Sequence, residues 1–266
     1  MTAVRAAAVA GTFYPGQRAI LVDAVKEHLE RVPLPLQEGR LTKALIAPHA
    51  GYLYSGPVAG TAFRRLQAER DAIRRIVLLG PPHRSPVRGL ALSGASGFET
   101  PLGIVPVDEE LVGRIRGMQQ VSVNAAAHAP EHSLEVELPF LQEALDEFSI
   151  LPLLVGTDVP GEVAQVLDRV WGGPETRIIV SSDLSHYLAY DLARQTDRQT
   201  AAQIQALEAE VSHRRACGAD AVNGFLVSAR RHGLEPELLD LRNSGDTAGD
   251  RSRVVGYAAF AFYEKT

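Results

Sequence analysis

Apolar residues along this chain fall into two spacings, short unbroken runs and longer stretches in which they recur every third or fourth position. The first spacing belongs to a strand buried on both faces, the second to a helix with one inward stripe. Lys43-Ala-Leu-Ile-Ala-Pro48 and Arg75-Ile-Val-Leu-Leu-Gly-Pro-Pro82 are runs of the first kind, and each leads directly into a histidine, His49 and His83. Between them, Pro57 to Arg70 carries Val58, Ala62, Phe63 and Leu66 at helical spacing, after a turn marked by Gly51 and Gly56. This pattern predicts a strand-helix-strand unit whose two strands are parallel, lie side by side and end at the same edge. Two imidazoles at adjacent strand ends can reach one ion, in the crevice where open α/β sheets bind ligands.

The same alternation continues to the end of the chain. Short strands are expected over 89–93 and within 97–108, and a brief helix over 109–116. Ser133 reads as a helix cap, followed by an inward stripe of Leu134, Leu138, Leu141 and Leu145. A strand over 150–155 runs into Gly156-Thr157-Asp158, and one over 177–180 into Ser181-Ser-Asp-Leu-Ser-His186. Helices are expected over 161–171, 192–211 and 219–231, and strands over 238–241 and 254–262 around a turn-rich segment, residues 243–250. The fold class implied is α/β, a largely parallel or mixed sheet with helices on both faces.

Composition narrows the picture. No linker, repeat, low-complexity tract or block of like charge marks a seam in the 266 residues, so residues 1–266 read as a single domain. A formal charge of −5 and a pI near 5.9 argue against nucleic acid as a partner. The only cysteine, Cys217, excludes an intrachain disulfide and fits a reducing compartment. The Ala6 to Ala10 run is broken too soon, by Gly11, Tyr14, Pro15 and Gly16, to resemble a secretory segment, and no apolar run approaches the roughly 18 residues of a membrane span. A cytoplasmic protein with no membrane partner is the expectation.

Candidate chemistry gathers just past the strand ends. A lone histidine there is usually a loop residue bonding a carbonyl, but the repeated pattern, flanked each time by Pro and Gly, favours a metal site for His49 and His83. Asp183 has the position of a helix cap, from which His186 one turn on would project into the crevice and act as acid and base. His132 divides evenly between an exposed loop residue and a site residue. Asp246 offers the carboxylate that would complete a two-histidine, one-carboxylate ligand set. Cys217, before Gly218 and an alanine-rich helix start, reads either as an activated thiol or, more commonly, as a small buried apolar residue. Tyr52 and Tyr54 would offer a ring face to a flat substrate or pack on the sheet end. His28, His128, His213 and His232 read as surface residues without chemistry.

Six motifs occur in order: Ala47-Pro-His-Ala-Gly-Tyr52, Leu79-Gly-Pro-Pro-His83, Glu131-His-Ser-Leu-Glu-Val-Glu-Leu-Pro139, Leu153-Leu-Val-Gly156, Ser181-Ser-Asp-Leu-Ser-His186 and Gly256-Tyr-Ala-Ala259. Together with Ala10-Gly-Thr-Phe-Tyr-Pro15 they resemble the MEMO family, which includes the bacterial proteins called AmmeMemoRadiSam system protein B. That resemblance implies a fold like that of the class III extradiol dioxygenases, which open catechol rings with non-haem Fe(II). It implies that His49 and His83 are metal ligands, and that His186, with Asp183 and His132, forms a polar vestibule over the metal. Animal members carry a cysteine as third ligand where this chain holds Asp246 and Thr247, which leaves the ion open among Fe(II), Zn and Cu. The activity implied is oxidation of a small aromatic diol, the substrate itself being unidentified. A metal-dependent hydrolase, and a metal- or peptide-binding module with a protein partner and no turnover, stand as alternatives.

Overall fold

The structure, a computed structural model, describes residues 3–34, 40–157 and 159–264. Asp158 lies outside the described residues. In chain order the strands are β1 (Val4–Arg5), β2 (Thr42–Ala47), β3 (Arg75–Gly80), β4 (Gly89–Leu92), β5 (Gly97–Thr100), β6 (Gly103–Pro106), β7 (Val121–Val123), β8 (Ser149–Gly156), β9 (Thr176–Ser181), β10 (His186–Leu188), β11 (Glu235–Asn243) and β12 (Val254–Tyr263). The helices are α1 (Arg18–Glu30), α2 (Tyr52–Gln67), α3 (Glu109–Ile115), α4 (Ala125–His128), α5 (Leu138–Ala144), α6 (Pro160–Val170), α7 (Tyr190–Gln205), α8 (Ala219–Arg231) and α9 (Ser244–Thr247).

Nine strands form the main sheet in the order β10-β12-β2-β9-β3-β8-β4-β7, with β11 paired to β12, while β1, β5 and β6 form a small separate sheet. The centre, β2-β9-β3-β8, is parallel; β12 and β4 join it antiparallel, so the sheet is mixed. The unbroken apolar runs are explained by burial on both faces. In β2, Leu45 and Ala47 pack with α1, α2 and α5, while Ala44 and Ile46 face the opposite layer, with α6 and α8. β3 divides in the same way, Ile76 and Leu78 against Val77 and Leu79.

The structure corrects the expected adjacency of the two histidine-bearing strands. β9 is inserted between β2 and β3, with Ala44 opposite Ile178 and Val77 opposite the same Ile178. Hydrophobic spacing defines a strand but carries no information on which strand enters beside it. No helix begins at Asp183 either; after β9 the chain runs to β10, and α7 starts only at Tyr190. Helix α7 also stops short of Val211. Leu207 takes a left-handed backbone (φ 54), with Leu207 N–H donating to the Ile204 carbonyl and Glu208 N–H to that of Gln203, a Schellman ending built on leucine. Ser133 does not cap a helix: its hydroxyl donates to the Pro81 carbonyl at 2.8 Å, and a 3-10 turn over Glu135–Glu137 precedes α5.

Candidate metal centre

The carboxyl ends of β2, β9 and β3 meet at one edge, and the segments leaving them supply the site. His49 lies two residues beyond β2, Ser181 ends β9 and is followed by Asp183, and His83 lies three beyond β3. Glu131 and His132 come from the segment before the 3-10 turn, and Cys217 from the residues leading into α8. The His49 and His83 ring centres are 5.1 Å apart, and His132 lies 5.5 Å from the first and 4.6 Å from the second. Reach from the loops therefore brings the two imidazoles together across the intervening strand.

Three overlapping sets each bring donor atoms within 4.8 Å of one another: His49, His83 and Cys217; His83, Glu131 and His132; Asp183, His186 and Cys217. In the first set His49 Nε2 is 3.3 Å from Cys217 Sγ. Two donors held about 2.0–2.1 and 2.3 Å from a common ion at tetrahedral to right angles would stand about 3.1–3.6 Å apart. The pair as it stands thus fits a shared cation.

Both imidazoles have their other nitrogen occupied, as metal-binding histidines do. His83 Nδ1 donates to Glu131 Oε1 at 2.9 Å, and the His83 backbone N–H donates to Glu131 Oε2. The Glu131 carboxylate also receives N–H groups from His132 and Ser133. Burial alone would raise its pKa, yet the adjacent His132 imidazole, the His83 hydrogen bond and the Ser133 backbone N–H hold it far below the usual carboxylate range. His132 Nδ1 stands 3.1 Å from the same carboxylate, off the line of a hydrogen bond, and its ring stacks on that of His83. His49, 1 % exposed, places Nδ1 2.6 Å from Ser181 Oγ, which in turn lies 2.8 Å from Glu137 Oε1 and 2.7 Å from the Ser133 carbonyl. Burial, and then the nearby His83 and His132, keep His49 neutral, the form that ligates. Burial raises Glu137 well above its ordinary value, which favours its uncharged form. Burial and the Asp183 carboxylate push the Cys217 thiol up as well, and a cation would take its place on sulfur by displacing the proton.

The remaining sequence candidates divide. Asp183 is buried and accepts the backbone N–H groups of His49 and Ala50. His186 Nδ1 donates to the Leu184 carbonyl at 2.8 Å rather than to Asp183, leaving Nε2 open. Asp246, expected as third ligand, is not brought to the histidines among the described residues. Its Oδ2 accepts the Asn243 N–H at the start of α9 and its Oδ1 the Tyr190 hydroxyl at 2.5 Å, so a capping box holds it away. Cys217 stands by the histidines instead; the signal that could have found it is that it is the only sulfur nucleophile in the chain, placed before a helix. Glu131, Glu137 and Ser181 were also missed as supports, although all three lie inside the quoted motifs. His128 is not at the surface: it is 2 % exposed, with Nε2 2.8 Å from the Ala91 carbonyl. His28 is partly buried between Tyr52 and Phe140.

Comparison with known proteins gives the family. The family model described as Memo-like protein matches residues 5–261. The chain belongs to the Memo family. Similar Memo relatives include MEMO1 family proteins of Aquifex aeolicus, 36% identical, and of Methanothermobacter thermautotrophicus, 37% identical. The alignments cover 97% and 96% of this chain and 99% of each relative. Among solved structures, an uncharacterized protein of Escherichia coli K12 shares the α/β fold at 12% identity, with a TM-score of 0.53 over 82% of this chain and 99% of that one. No helix among the described residues is long and apolar enough to cross a membrane.

Proposed function

We propose that this Memo-family chain binds one non-haem metal ion through His49, His83 and Cys217 and oxidises a small aromatic diol with O2, in the manner of the class III extradiol dioxygenases. Fe(II) is the ion this reading calls for. The observation that carries it is the convergence of three donor atoms from three loops within 4.8 Å, with the far nitrogen of each imidazole already engaged. Bound there, a ferrous ion would supply Lewis acidity toward the diol and an electron partner for O2.

The chain's own groups supply the rest. His186, grouped with Asp183 and Cys217 and with Nε2 open, stands where it can accept a proton from a diol hydroxyl and return it later. Burial raises the pKa of Asp183, and its carboxyl group, by accepting the His49 and Ala50 N–H groups, fixes the loop. His132 forms the wall beside His83, its ring between that imidazole and Phe13, and keeps water from that side.

Metal analysis of anaerobically purified protein tests this, with His49→Ala, His83→Ala and Cys217→Ser as controls. The expected result is one iron per chain, lost in each variant, and O2 uptake with catechol on an oxygen electrode. The sulfur donor favours one other outcome. Thiolate suits zinc, and stoichiometric zinc with turnover that consumes no O2 would make the site a hydrolase. Protein that takes up no metal would leave a binding module with a protein partner.

A further inference from the structure

We propose that Tyr187 selects the substrate of this site, and that the substrate is a planar ring bearing an anionic substituent, the ring lying on Tyr187 and the anion on Arg253. The inference rests on the metal-centre reading above and names its substrate class. The register between β10 and β12 is broken between His186 and Leu188, so Tyr187 sits on a bulge directly after the candidate proton carrier. Its backbone is left-handed, φ 59, a conformation sterically unfavourable for a tyrosine. The bulge leaves the side chain 63% exposed, with its ring 5.8 Å from that of His186 and edge-on to it.

Two further observations point to what the ring receives. The Arg253 guanidinium lies 5.3 Å over the Tyr187 ring and, among the described residues, has no carboxylate partner. Across the site Tyr54, 39% exposed, stands on the first turn of α2, five residues beyond His49. The buried Tyr257 phenol is raised by burial, then by Asp183 and Tyr54, and to a smaller extent by Tyr187. The interior of the site already holds the Glu131 carboxylate, kept far below the usual carboxylate range, so an anionic substituent is disfavoured there and accommodated at the outer, arginine side. A flat diol carrying a carboxylate satisfies all of these features.

The test uses metal-loaded protein under anaerobic conditions, titrated by calorimetry with 3,4-dihydroxybenzoate and with catechol. Wild type is expected to bind the carboxylated diol about tenfold more tightly than catechol, and Arg253→Ala to erase that preference. Tyr187→Ala should weaken both ligands by about five- to tenfold, Tyr187→Phe should bind as wild type, and metal content should be unchanged throughout. Tyr187→Gly, which relieves the left-handed backbone, should melt no lower than wild type yet bind like Tyr187→Ala. Equal affinity of wild type and Tyr187→Ala, or metal-loaded wild type that binds neither diol, overturns the inference and leaves the metal centre standing. Wild type that takes up no metal overturns both.

Discussion

Ser181 has one proton to give and three neighbours within 2.8 Å, His49 Nδ1, the Ser133 carbonyl and Glu137 Oε1. Since the carbonyl can only accept, an arrangement that satisfies all three has His49 Nδ1–H donating to the hydroxyl, the hydroxyl donating to Ser133, and the protonated Glu137 donating to the hydroxyl. That order leaves the Nε2 lone pair of His49 facing Cys217. Ser181→Ala removes the group that fixes this tautomer, and loss of such a support typically weakens metal binding by about 10–100-fold. Glu137→Gln keeps a donor and should stay within a few-fold of wild type. Competition with a chromophoric chelator measures both; a Ser181→Ala protein that binds metal as tightly as wild type would refute the tautomer argument. At this scale the convergence of His49 and His83 on one sheet edge was legible because each follows an apolar run, and the approach of Cys217 to them was not, because it lies far from them in sequence and nothing local marks a cysteine before a helix as facing a histidine. Asp246 misled for the converse reason, since the turn residues that made it look available are those that form its capping box.

Helices α1 and α2 cross in close contact, and the residues that permit it are glycines of α2. A Cβ at Gly60 would fall on the His28 carbonyl, and one at Gly56 on the His28 ring. In a helix interior alanine ordinarily gains about 1 kcal/mol over glycine. At Gly60 the clash with backbone reverses the sign, and Gly60→Ala should lose about 1–3 kcal/mol by forcing α1 away from the sheet. Gly113 in α3 supplies the control, since a Cβ there meets nothing within 4 Å and Gly113→Ala should gain stability. Urea unfolding of the two variants beside wild type decides it; two shifts of the same sign would show that propensity, not the crossing, governs both. Element existence was largely readable, as α8 at residues 219–231 and β3 across 75–80 show. Boundaries failed where a backbone conformation intervened: no glycine announces the left-handed Leu207 that ends α7, and Pro57 stands inside α2 instead of opening it.

Across the whole molecule, strand order was the part the chain did not spell out, because β9 reaches its place between β2 and β3 only after β8 and α6 have been laid down. The resulting closure buries histidines that local composition assigned to the surface, and this gives the fold a pH dependence of definite sign. Burial lowers His128 from 6.5 to about 4, only partly offset by its hydrogen bond to the Ala91 carbonyl. His28 and His49 are lowered too, chiefly by burial. In the unfolded chain these imidazoles take protons near pH 6.5, while the folded protein refuses them, so between pH 6.5 and 4 the unfolded state binds more protons and stability falls as pH falls. For His128 alone the full window amounts to about 3 kcal/mol. His128→Gln keeps a donor for the Ala91 carbonyl but cannot titrate. Denaturant unfolding of metal-free protein at several pH values should therefore show a shallower decline for the variant than for wild type over this window and parallel curves above pH 7. Curves that remain parallel down to pH 4 would mean that His128 opens to water and is protonated before the rest of the fold yields.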